Sequence, residues 1–216
     1  MIVIYSAIYG NKNKILEVPE IDGVSNIMYT DYDITPKYYK GWEIRKSKGE
    51  EFNSSVLNAK QFKLLPHKFL PEYDTTIWVD GSIKTKNIVE FIELYNKNEM
   101  VVFDHNHTTF DKRDCIYDEA KVVMSQGLDK KSTINKQIGE YKSEGFPKNN
   151  GLICGGVLLR KNTDLINKIM DEWWSEIIKG SFRDQLSFNY VAWKNDFKPH
   201  YIKDDIRSNK YFKINE

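Results

Sequence analysis

The apolar run Thr76-Ile77-Trp78-Val79 ends abruptly in Asp80-Gly81-Ser82, a carboxylate followed by two small residues. In an open α/β sheet, ligands collect outside the carboxyl ends of the strands, so a strand that delivers an acid there places it where chemistry happens. A second acid triplet, Asp31-Tyr32-Asp33, follows another strand-like run. The small residues after Asp80 let a ligand approach the backbone, whereas Tyr32 and Ile34-Thr35-Pro36 read as a loop wall, so a metal ion is assigned to Asp80. The plainer reading of either triplet is an acid that caps a helix or satisfies a turn.

Four further groups carry chemistry-bearing types. Lys60, Lys63 and His67 fall on one helical face upstream of Asp80; they read either as a clamp on a phosphate group or as an ordinary solvated surface. Asp104-His105-Asn106-His107, with Arg113-Asp114-Cys115 and Asp118-Glu119 close behind, is dense in ionisable side chains. No cysteine pair or third histidine follows His105 and His107 at ligand spacing, which argues against structural zinc and for recognition of substrate hydroxyls. Gly155-Gly156 interrupt an apolar strand, as expected where a ligand or another backbone passes close by, or where the strand carries a bulge. Asp184-Gln185 stand at a helix start, where the acid is either a first-turn acid favoured by the helix dipole or a general base facing the Asp80 crevice.

Strand and helix signals set these groups in order. Strand-like runs cover 2–8, 25–30, 75–80, 100–104 and 152–159. Ile88, Phe91, Ile92 and Tyr95 make one apolar face of a helix over 87–96, directly after the Asp80 strand. Helical periodicity recurs over 117–126 and over 164–179, the latter through Leu165, Ile169, Trp173 and Ile177. The polar segment 126–150 is anchored by few apolar residues and reads as a helix with a mobile flank, a surface excursion or a functional loop. Strands alternating with helices predict an α/β fold, a mostly parallel sheet flanked by helices. At 216 residues one domain over 1–216 is expected.

Charge is nearly balanced, with 32 Lys plus Arg against 31 Asp plus Glu, so no global field recruits nucleic acid or an anionic membrane. The opening apolar stretch lacks a basic region before it and reads as a first strand, not a signal peptide. No run approaches the roughly 18 apolar residues of a membrane span. Cys115 and Cys154 have no metal-type spacing and read as small core residues of a reducing compartment, and a soluble, cytoplasmic protein is expected. The sequence leaves the oligomeric state open.

Taken in order, Tyr5-x-Ala7-x-Tyr9-Gly10, Tyr29-Thr30-Asp31, Ala59-Lys60, Leu65-Pro66-His67-Lys68, Ile77-Trp78-Val79-Asp80-Gly81-Ser82, Arg113-Asp114-Cys115-Ile116-Tyr117-Asp118-Glu119 and Asp184-Gln185 resemble a glycosyltransferase of the GT-A fold, a Rossmann-like α/β architecture. More narrowly, they resemble the glycosyltransferase-like family, long labelled a domain of unknown function, that includes plant mucilage-related and turgor-regulation proteins and small bacterial and viral domains. The resemblance runs from about residue 3 to 195.

That resemblance implies a nucleotide-sugar donor, a UDP-sugar by expectation, a divalent ion, Mn²⁺ or Mg²⁺, and transfer of a sugar to a hydroxyl of a glycan or glycoconjugate. A nucleotide-binding half over about 1–104 and an acceptor half over about 105–216 follow. Asp80 would ligate the ion, which neutralises charge on the departing diphosphate, with Lys60 and His67 sharing that task. Tyr5, Ala7, Tyr9 and Asp31 occupy positions where such folds hold base and ribose; Gly155, Gly156 and Gln185 complete the donor side. His105, His107, Arg113 and Glu119 fall to the acceptor. Ser82 stands where many GT-A enzymes have a second Asp, which implies weaker ion binding completed by substrate phosphates. His200 is carried over as a further metal ligand. For an inverting reaction Asp184 is the candidate base and Asp114 the second. Other readings are a nucleotidyltransferase or hydrolase, although Gly10-Asn11-Lys12-Asn13-Lys14 holds a single glycine, and a non-catalytic carbohydrate-binding relative.

Overall fold

A computed structural model describes residues 1–10, 14–34, 36–46 and 51–215, so residues 11–13 of the segment after Gly10 lie outside the described residues. The strands are β1 (Ile2–Ile8), β2 (Val24–Thr30), β3 (Tyr38–Tyr39), β4 (Trp42–Arg45), β5 (Thr75–Val79), β6 (Ile83–Thr85), β7 (Met100–Asp104), β8 (Ile153–Lys161), β9 (His200–Ile202) and β10 (Phe212–Ile214). The helices are α1 (Ser55–Leu64), α2 (Pro66–Phe69), α3 (Ile88–Tyr95), α4 (Ile116–Ser125), α5 (Lys131–Ser143), α6 (Asp164–Lys179) and α7 (Phe188–Lys194), with 3₁₀ turns at His105–His107 and Asp184–Leu186.

Eight strands form one sheet in the order β3-β4-β2-β1-β5-β8-β7-β9, while β6 and β10 pair separately. The expected mixed, mainly parallel α/β sheet is present: β4, β2, β1 and β5 run parallel, as do β7 and β9. The antiparallel pairings are those of β3 with β4 at one edge and of β8, inserted between β5 and β7. Alternate residues of β1 feed two cores. Val3, Tyr5, Ala7 and Tyr9 pack with α1, α6 and α7, and Ile4 and Ile8 pack on the other face with α3 residues Ile88 and Phe91. Burial on both faces is why β1 reads as a continuous apolar run rather than an alternating one.

Two local readings need correction, and a third is narrowed. The helix after Asp80 is preceded by β6, which pairs antiparallel with β10 near the chain end, a partner invisible to local pattern. In α6, Leu165 is 45% exposed, and the buried stripe is Ile166, Ile169, Met170, Trp173 and Ile177. Of the readings open for the 126–150 segment the helix is the one present, α5, fastened by buried Ile134, Gln137 and Tyr141. Cys115 and Cys154 are buried and free, as read from sequence. Among the described residues no helix is long and apolar enough to cross a membrane.

From β1 the chain passes to β2 on one side and later to β5 on the other. This reversal creates the crevice outside the carboxyl ends of β1 and β5, the switch point at which open α/β sheets bind ligands. Because β8 is antiparallel, its amino-terminal half runs beside the end of β5, and Asp80 N donates to Gly156 O at 2.8 Å.

Candidate active site

Ala7 and Tyr9 leave β1 at this crevice, and Asp80, Gly81 and Ser82 leave β5. With Lys60 and Lys63 of α1, Gly155 and Gly156 of β8, and the Arg183-Asp184-Gln185 segment, they line a cavity of about 330 Å³. Ser54 starts α1 by accepting from Leu57 N, and the i, i+3 spacing then turns both lysines toward the crevice.

A charge cluster built on the buried Lys63–Asp184 pair, with Asp80 open to the cavity, occupies the floor. Lys63 Nζ lies 2.6 Å from Asp184 Oδ2 and 3.5 Å from Asp80 Oδ1. Lys60 Nζ lies 3.0 Å from the same Asp184 oxygen. Trp78 Nε1 donates to Asp80 Oδ1 at 2.6 Å, from the residue two positions earlier on the same face of β5. Burial alone would raise the Asp184 carboxyl, but the two ammonium groups outweigh it and hold the group well below the usual carboxylate range. Burial lowers Lys60, which shares its acid with a second cation. For Lys63 the same burial is outweighed by Asp184 and Asp80, which raise it. The lysines are thus not the solvated surface that lysine ordinarily prefers; Lys63 is 4% exposed.

The glycine pair serves this cluster. A Cβ on Gly155 would stand 3.1 Å from Asp184 Oδ2 and 3.2 Å from Lys63 Nζ; one on Gly156 would press Ile83 and Ile206. The bulge is present as well, since the β7–β8 register shifts between Val102 and Phe103.

Three neighbouring cavities receive the other site residues. Tyr9 and Asp31 line one of about 750 Å³ beside the crevice, and the Asp31 carboxylate accepts from Gly10 N at 3.0 Å. On the other side His105, Arg113 and Arg207 line one of about 240 Å³ that shares Asp80, Ser82, Gly155, Gly156 and Gln185 with the crevice. Glu119 lies buried behind Arg113, paired at 2.7 Å, and Arg113 Nη2 is 3.3 Å from His105 Nε2. Burial lowers the His105 pKa. His107 instead pairs with Asp104 at 3.0 Å outside that cavity. Asp114 and His200 line a third cavity, of about 690 Å³, with Trp193 and Tyr201.

Several expected site residues are not gathered at the crevice. Tyr5 is fully buried in the core, its hydroxyl donating to Lys63 O at 3.1 Å and receiving a hydrogen bond from Arg160; burial pushes its pKa up to about 12. It therefore supports the backbone of α1 beneath the cavity. His67 does not share a helix face with the lysines, because α1 stops at Leu64 and Pro66 opens α2. Its Nε2 lies 3.3 Å from Asp171 of α6. His200 pairs with Val101 at the start of β7; β9 is three strand positions from β5, roughly 14 Å at ordinary strand spacing. Conversely, sequence reading carried Lys63 only as part of the cationic face and left out Trp78 and Arg183 as site residues. Their signals were present: spacing of three from Lys60, of two from Asp80, and direct adjacency to Asp184.

The residues present do not fit a resident divalent ion. Asp80 Oδ1 already takes the Trp78 N–H and faces a lysine ammonium, Asp184 is held by two lysines, and Ser82 adds one hydroxyl. Among the described residues no group of three or more His, Cys, Asp or Glu side chains gathers to hold a metal.

Comparison with known proteins gives this geometry a family. Residues 25–209 match the model for the TOD1/MUCI70 glycosyltransferase-like domain. The chain belongs to that family. Within it, a relative is the probable hexosyltransferase MUCI70 of Arabidopsis thaliana, 25% identical over 161 residues, which is 69% of this chain and 27% of the relative. The chain thus spans about a quarter of that curated relative's length. The TOD1/MUCI70 match takes in all of β2 but its first residue, β5, β8, the helix α1 that carries Lys60 and Lys63, and the segments carrying Asp31, Asp80 and Asp184.

Proposed function

We propose that this domain is a glycosyltransferase that moves a hexosyl group from a nucleoside-diphosphate sugar, UDP-linked as the resemblance implies, to a hydroxyl of a glycan or glycoconjugate. The observation that carries the reading is the Lys60–Lys63–Asp184–Asp80 cluster in the switch-point crevice of a TOD1/MUCI70 domain. The nucleoside lies toward Tyr9 and Asp31, the diphosphate over the two lysines, and the acceptor toward His105 and Arg113. Residues from both expected halves, about 1–104 and 105–216, then surround one donor.

In the transfer step the acceptor oxygen bonds to the anomeric carbon as the bond from that carbon to the diphosphate breaks, and the electron pair leaves with the nucleoside diphosphate. Preformed ammonium groups facing that developing charge stabilise it without reorganisation. The acceptor's proton needs a carboxylate with a free oxygen. Asp184 is a weak base while two lysines hold it ionised, and Asp114 lines a different cavity. Asp80 lines both the donor and the acceptor cavity and has Oδ2 available, so we assign the proton to it. Mn²⁺ or Mg²⁺ would reach Asp80 only in company with the substrate's phosphates.

The test is to incubate the protein with a panel of UDP-sugars and oligosaccharide acceptors and follow UDP release and product mass. Acceptor-stimulated release from one donor, lost by about a hundredfold or more in Asp80→Asn with the fold retained, is the expected result. No release from and no binding of any donor would overturn the enzyme reading.

A further inference from the structure

We infer that Arg183 is an anion-binding residue of the crevice, the group that grips the donor's diphosphate, an inference that rests on the glycosyltransferase reading above. The charges lining the crevice are Lys60, Lys63 and Arg183 against Asp80 and Asp184. Both lysines are committed: each lies within 3.5 Å of a carboxylate oxygen of Asp184 or Asp80. Arg183 has no such partner among the described residues, and its Nε is buried with no hydrogen-bond partner. A buried guanidinium N–H left unpaired costs free energy, and such groups in a native cavity call for an acceptor from outside the chain. Arginine's planar fork matches two oxygens of a phosphate at once, which a lysine cannot do.

The backbone beneath Arg183 is fixed before any ligand arrives. Ser181 is fully buried, its N–H donating to Gln137 Oε1 of α5 at 3.0 Å and its hydroxyl to Asp129 Oδ2 at 2.6 Å. Phe182 N donates to the same Asp129 oxygen, and Arg183 N to Ser181 Oγ. A pinned turn of this kind delivers the guanidinium at low entropic cost, the condition for a strong anion contact. The lysines face the diphosphate with their charge shared between two carboxylates, and Arg183 adds the net positive charge of the lining.

Calorimetric titration of the full chain with inorganic pyrophosphate, UDP and uridine separates the outcomes. Wild type should bind pyrophosphate and UDP, and Arg183→Ala should weaken both by about tenfold to a hundredfold while leaving uridine unchanged. Arg183→Lys should recover only part of the loss, and the wild-type affinity should fall more steeply with salt than that of Arg183→Ala. Equal UDP and pyrophosphate affinity in wild type and both variants would overturn the assignment of Arg183. Arg183-dependent binding of pyrophosphate without any binding of UDP would keep the anion site and overturn the nucleotide-sugar reading instead. Circular dichroism of Arg183→Ala and Arg183→Lys confirms that either variant used for the comparison is folded.

Discussion

Lys63 joins two acids that arrive from distant parts of the chain: its ammonium lies 2.6 Å from Asp184 Oδ2 and 3.5 Å from Asp80 Oδ1. Asp184 is thereby an electrostatic keystone before it is anything else. Replacing it with Asn leaves two buried ammonium groups facing a neutral amide, and removing one partner of a buried ion pair costs about 3–5 kcal/mol. Asp184→Asn should therefore lower the urea-unfolding free energy by that order, and adding Lys60→Gln should restore part of it. Its carboxyl sits below the ordinary range in the folded state, so this contribution is present in full above the unfolded carboxylate pKa of about 3.9 and is lost progressively as pH falls from there through the lower folded value. Unchanged stability in Asp184→Asn would mean that the cluster is not formed in solution.

Chelation tests the lysine mechanism directly. With two ammonium groups on the floor and a thin ligand set around Asp80, sugar transfer should persist in EDTA at close to its rate in Mn²⁺. A loss of about tenfold or more, restored by Mn²⁺, would return the ion to the mechanism.

Gly155 is the position where β8 backbone meets the ion pair. A methyl group there would crowd Asp184 Oδ2 and Lys63 Nζ at 3.1 and 3.2 Å. Gly155→Ala should leave the melting temperature within a few degrees of wild type while turnover falls about tenfold, because small displacements of positioning groups are amplified in rate. Normal turnover would show that the cluster has slack.

Acid sensitivity should come from the acceptor side. Burial first, and then Arg113 and Arg207, push His105 below its ordinary value, against the opposing pull of Glu119. A histidine depressed in this way stays neutral in the fold; its contribution is complete above the unfolded pKa of about 6.5 and is lost as pH falls through the lower folded value. Unfolding free energy should drop between about pH 6.5 and 5, and more shallowly in His105→Asn. His67, also lowered by burial, contributes in the same sense and accounts for the remainder. Identical slopes in wild type and His105→Asn would remove His105 as a source.

The main strands and the longer helices were legible because their signals are local. Apolar runs long enough to be buried on both faces gave β1, β5 and β8, and the strand-end Asp80 marked the crevice before any tertiary contact was known. Short elements were not legible: β6 and β10 are three residues each and exist through their pairing across the chain. The reading of Lys60, Lys63 and His67 as one face failed at Pro66, where a helix-length pattern crosses a real helix boundary.

By itself, the sequence determined which residue types stand at strand ends, the alternation of strand and helix, and the ordered motifs that mark the TOD1/MUCI70 family. Only the tertiary structure decided what Asp80 faces. Its neighbours Lys63 and Gly156 are set by the docking of α1 on the sheet and the antiparallel insertion of β8, and Asp184 is brought in behind α6. Whether a carboxylate binds a metal, takes a proton or pairs with lysine depends on charges within a few ångströms of it. Spacing along a chain does not fix those distances; the packing of its elements does.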